Sequence, residues 1–194
     1  MEIPRYRVES STALALVETY VEDYVDEATF LQCCEACHNY GKKWCCPPYD
    51  FSVSEYWNRF SQLKLLGRKI IFDQETVKPV YEKAELDEII GQVLMVEKDK
   101  LTLELWAMEE EIPGSISLSA GSCSLCGEGN CSKPLGDKCR NQAKMRYSIE
   151  SLGGNVGRTC EKLLCEHLEW IEAGKLPGYF VLVGGLLYGN KDND

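Results

Sequence analysis

Eleven cysteines in 194 residues are the groups here that could do chemistry, and they are not scattered. Cys33, Cys34, Cys37, Cys45 and Cys46 fall together. So do Cys123, Cys126, Cys131 and Cys139, while the stretch between the two groups has no cysteine. Cysteines serving as small core hydrophobes would be spread along the chain. The N-terminus, MEIPRYRVES, lacks the apolar core of a signal peptide, so a cytoplasmic setting is expected. Thiols stay reduced there, and dense cysteine then points to metal binding or redox chemistry rather than to a disulfide framework.

The second group reads GSCSLCGEGNCSKPLGDKCR. Its C-x-x-C lets a tight turn aim Cys123 and Cys126 at one centre, and Cys131 and Cys139 bring the count to four. Four thiolates suffice for one [4Fe–4S] cluster or one tetrahedral zinc. Glycines at 121, 127, 129 and 136 suit a wrapped loop. Basic side chains outnumber acidic ones by 3 over residues 123–146, inside a chain of net charge −10, which would offset repulsion among thiolates. A solvated basic loop gives the same pattern.

The first group reads CCEACHNYGKKWCCPPYD. Cys34 and Cys37 make another C-x-x-C. Cys46 precedes Pro47, and Cys-Pro closes the ligand run of bacterial ferredoxins. Adjacent side chains on extended chain point to opposite sides, so one of each doublet, Cys33/Cys34 and Cys45/Cys46, is expected to face the site. Cys34, Cys37 and Cys46 are the expected metal ligands. The fourth position stays open among Cys45, Cys33, His38, a distant residue and an exogenous ligand.

At these residues the chain resembles the DUF2284 family, described as predicted metal-binding proteins. The resemblance rests on C-x-x-C followed by YGKxWxCPP (Cys34 to Pro48), on GSCxLC with later cysteines ending in Cys-Arg (Gly121 to Arg140), and on S-x-E-x-x-G (Ser148 to Gly153). It implies metal or iron–sulfur binding by Cys34, Cys37, Cys46, Cys123, Cys126, Cys131 and Cys139, and it brings no known reaction. The chain departs from the family pattern in its extra Cys33 and Cys45, and in Asn141, Gln142 and Tyr147 where prolines are more usual.

The elements that must hold these loops can be read from periodicity. Apolar residues from Ala13 to Ala28 at three- and four-residue steps predict an amphipathic helix, with a short strand over residues 29–33. A helix capped by Ser54 is expected to run to about Leu66, followed by a strand over residues 68–76. Residues 83–111 read as a long helix with a break allowed near Asp99. Residues 115–120 form a strand feeding the second cysteine loop. Residues 156–171 read as a helix in which Cys160 and His167 are core residues, and residues 179–187 as a central strand. Residues 191–194 read as a disordered tail. The sum is one cysteine-rich α/β (α+β) sandwich domain over residues 1–194, with a small mixed sheet of three to five strands and packed helices.

The net charge excludes a general nucleic-acid or anionic-membrane binder. The longest apolar run, residues 179–188, is half what a bilayer needs. P-loop, dinucleotide and Ser-His-Asp patterns are absent, and no catalytic residue is assigned. The expected function is a cytoplasmic protein with one or two [4Fe–4S] clusters, carrying electrons or doing redox chemistry with a partner protein. Two alternatives stand beside it: a structural zinc site formed by Cys34/Cys37 and Cys123/Cys126, and a thiol-redox or metal-delivery protein using the doublets. The oligomeric state is left open.

Overall fold

The computed structural model describes residues 4–127 and 129–190. Strands β1 (Tyr6–Leu16), β2 (Phe60–Phe72), β3 (Ile116–Leu118) and β4 (Tyr179–Asn190) form a four-stranded sheet in the order β1-β2-β4-β3. Among the described residues six α-helices accompany it: α1 (Val17–Tyr24), α2 (Glu27–Glu35), α3 (Val53–Asn58), α4 (Gln74–Val77), α5 (Lys83–Glu111) and α6 (Val156–Lys162). The sandwich class is as expected. The sheet, expected to be mixed, is antiparallel at every strand pair, with one parallel bridge outside the strands, Ser119–Ser148. The tail at 191–194 lies outside the described residues.

β2 shows how the two faces are filled. Leu63 and Leu65 point to one side and pack with Tyr20, Trp57, Ile149, Leu152 and Cys160. Leu66, Ile70 and Phe72 point to the other side, where α5 lies across the sheet. The buried residues of α5, Leu86, Ile89, Val93, Glu97, Leu101 and Leu105, recur at three- and four-residue steps over one unbroken helix. Glu97 interrupts this apolar stripe and is 1 % exposed. It accepts from Tyr6 Oη at 3.0 Å and Lys100 Nζ at 2.6 Å, with Arg68 3.6 Å away, and so ties α5 to β1 and β2. Cys160 is fully buried, as expected of a core residue.

Several elements differ from the periodic reading. Residues 13–16 are strand, not helix: Ala13 and Ala15 turn inward while Leu14 is 68 % exposed, and pairing with β2 from Tyr6↔Phe72 to Leu16↔Gln62 outweighs the helical spacing. Residues 29–33 are helical because Asp26 caps α2, accepting from Thr29 N at 3.0 Å. α3 is capped by Ser52 rather than Ser54 and ends at Asn58, so Leu63 and Leu66 belong to a strand paired on both sides. α6 stops at Lys162: Cys165 takes φ +56°, which a helix cannot continue, and His167 and Ile171 are exposed rather than core.

Candidate metal centre

α2 delivers the first group. Cys33 and Cys34 sit on its last turns, and the chain then winds through Cys37 to Cys45 and Cys46, closed by Gly41 N donating to Pro47 O at 2.8 Å. β3 delivers the second group. Ser119 bridges to Ser148, and Gly121 at φ +69° turns the chain into the loop carrying Cys123, Cys126, Cys131 and Cys139. Polar contacts interlock the two loops. Trp44 Nε1 donates to Ser132 Oγ at 3.2 Å, Lys43 Nζ to Cys123 O at 3.1 Å, and Lys133 Nζ to Cys46 O at 2.7 Å.

The thiols end up around two neighbouring cavities. Cys123, Cys126, Cys131 and Cys139 line one small cavity, and Cys45 lines it with them. Cys34, Cys37 and Cys46 line a second cavity of about 210 Å³, together with Ser148, Glu150 and Ser151. The doublet joins the two: Cys45 and Cys46 Sγ lie 3.7 Å apart, and Cys45 Sγ accepts from Cys123 N at 3.1 Å. Cys34/Cys37 and Cys123/Cys126 therefore sit on different cavities and do not meet as one four-thiol set. Among the described residues, no three histidine, cysteine, aspartate or glutamate side chains converge on a position for a single ion.

The DUF2284 family, described as predicted metal-binding proteins, matches residues 21–187. The chain belongs to this family. Neither a curated protein nor a solved structure matches it. The matched span of this DUF2284 chain contains every cysteine on both cavities, and the family's metal binding is in keeping with so many soft donors in one place.

The sulfurs do not share one electrostatic setting. Burial pushes the Cys34 and Cys139 thiols up. At Cys45 the contact with Cys123 favours the thiolate, but the Cys46 thiol and burial outweigh it and push the group up to about 11. Cys123 is raised by its contact with Cys45 and by burial. Cys46 moves the other way, because Cys45 stabilises its thiolate. Lysines approach from outside the loop first credited with the positive charge. Lys43 comes from the first loop, and Lys98 of α5 donates to Ser122 O. Burial lowers the Lys98 and Lys133 ammonium groups while neighbouring thiols pull them back up. Of the basic residues in 123–146, Arg146 is spent on Glu109 and Lys144 sits over the Trp106 ring, 4.9 Å from its centre.

Two residues of this DUF2284 chain lie where the sequence did not place them. Cys45 was one choice for the first site, yet it lines the cavity of the second group; the two sulfurs of the doublet stay in contact at 3.7 Å, each on the wall of a different cavity. Glu150 had no signal beyond its place in the S-x-E-x-x-G motif. Its carboxyl is buried, which raises its affinity for a proton, and its Oε2 has no partner among the described residues. Cys33 and His38 are exposed and line neither cavity, while Trp44, Tyr40 and Met145 help to wall the cavities.

Proposed function

We propose that this chain is a cytoplasmic iron–sulfur protein that exchanges electrons with a redox partner. Cys123, Cys126, Cys131 and Cys139 hold one [4Fe–4S] cluster, and Cys34, Cys37 and Cys46 hold a second centre beside it. The observation that carries the reading is that eight cysteines line two adjoining cavities, joined at 3.7 Å through the Cys45/Cys46 doublet. The donor set fits: both cavities offer thiols, the ligand type such clusters take. Eight thiols are also twice what one tetrahedral zinc uses. When bound, the clusters supply one-electron chemistry at potentials set by charge, hydrogen bonds and solvent exposure.

The chain's own residues set those conditions. Lys43, Lys98 and Lys133 offset thiolate charge, Asn141 Nδ2 donates to Cys126 Sγ at 3.2 Å, and Trp44 and Met145 limit water at the second group. β3 gives the second loop its base in the sheet, and α2 carries the first loop. The test is anaerobic purification with iron and sulfide analysis and a visible spectrum. A brown protein with about four or more irons per chain is expected. A colourless protein carrying stoichiometric zinc from metal-replete cells refutes the assignment.

A further inference from the structure

Glu150 is only partly satisfied inside the protein, its carboxyl interacting with the Ser148 side chain and with its own backbone. It opens the 3₁₀ turn Glu150–Leu152, and its Oε2 is buried without a hydrogen-bond partner among the described residues. An unpartnered buried carboxylate oxygen is costly, and such a group is retained where something else binds it. Glu150 lines the 210 Å³ cavity with Cys34, Cys37 and Cys46, and a further cavity that Cys34 also lines. The three-thiol site lacks a fourth donor. Its rivals are placed elsewhere: Cys45 lines the other group's cavity, and Cys33 and His38 line neither.

We propose that Glu150 is the fourth donor of the first centre, completing the Cys34, Cys37 and Cys46 thiolates with one carboxylate oxygen. The proposal rests on the iron–sulfur reading above. The carboxyl releases its proton to solvent as it ligates, and the bound cation takes the proton's place. A hard oxygen on an otherwise thiolate centre is the weakest bond of the set, so the iron it holds is the exchangeable one and the position at which an outside ligand enters.

The experiment compares the full-length wild type with Glu150→Gln, Glu150→Cys and Cys34→Ser after anaerobic reconstitution with iron and sulfide. Iron counts, Mössbauer or paramagnetic resonance spectra and the rate of iron loss to a chelator are read for each. The wild type should hold about eight irons. Glu150→Gln should hold about one fewer, with a three-iron signal. Glu150→Cys should keep the full count and lose its most labile iron about tenfold more slowly than wild type. Glu150→Gln with unchanged iron count, spectrum and chelation rate overturns the proposal. If Glu150→Gln fails to unfold cooperatively, Glu150→Cys decides: a lowered iron count in that variant overturns it. A wild type with only about four irons, matched by Cys34→Ser, shows instead that the first centre of the preceding section does not form, and the proposal falls with it.

Discussion

Gly153→Ala should detach the Glu150 turn from α2, and its cost can be worked from the structure. Gly153 ends the 3₁₀ turn at φ +77°, a conformation that costs an alanine about 1–2 kcal/mol. A Cβ there would stand 2.9 Å from Glu27 Cα, 3.2 Å from Glu27 N and 3.3 Å from Val25 Cγ1. The first two are backbone atoms that cannot swing aside, so overpacking adds about 1–3 kcal/mol. The same backbone is clasped by Asp26 N donating to Gly153 O at 2.9 Å and Asn155 N to Tyr24 O at 2.8 Å, leaving little room to relax. The expected loss is about 3 kcal/mol, or about 1.5 M in urea midpoint at a slope of about 2 kcal/mol per molar. Gly136→Ala is the control: φ is +73° and nothing lies within 4 Å, so only the backbone cost of about 1–2 kcal/mol applies. Equilibrium urea unfolding of both variants, prepared under one metal-loading protocol, gives the comparison. If Gly153→Ala loses no more than Gly136→Ala, the turn is not held against α2 as described. The iron count of Gly153→Ala should fall as well, because the turn carries Glu150 and α2 carries Cys34.

Two further outcomes are expected. Cys33→Ser should leave iron content unchanged, because Cys33 is exposed and lines neither cavity, whereas Cys126→Ser should remove about four irons per chain; equal losses in the two variants would contradict the assignment. Glu109 tests the lock on the second loop. Burial raises its carboxyl, but Arg146, which donates from Nε at 2.6 Å, and Ser117 N at 2.6 Å together hold it below the ordinary carboxylate range. The stability it adds is present above that range and is lost as pH falls through the lowered folded value. Glu109→Gln should therefore cost about 2–3 kcal/mol at pH 7, and its deficit against wild type should shrink in strong acid; a deficit that stays constant with pH refutes the pairing.

The chemistry was legible in the linear order because it depends on residue type and short spacing. The two C-x-x-C pairs, Cys131, Cys139 and Cys46-Pro47 announce thiolate loops wherever they are set. α5 and β4 were legible for a related reason: a 29-residue amphipathic stripe and a nearly all-apolar run each leave one good way to bury their surface. Tertiary structure alone decided the rest. Residues 13–16 and Phe60 to Leu66 have spacings compatible with helix or strand, and only pairing across β1, β2 and β4 selects strand. Whether Cys45 joins the first or the second group depends on where Cys123 arrives from β3, distant in sequence. Glu150 reaches the cavity of Cys34, Cys37 and Cys46 only because the turn before α6 packs against α2. The sequence by itself determined which atoms can ligate; the packing of the sheet and its helices determined which of them face one another, because convergence is a property of three-dimensional contact that no local spacing encodes.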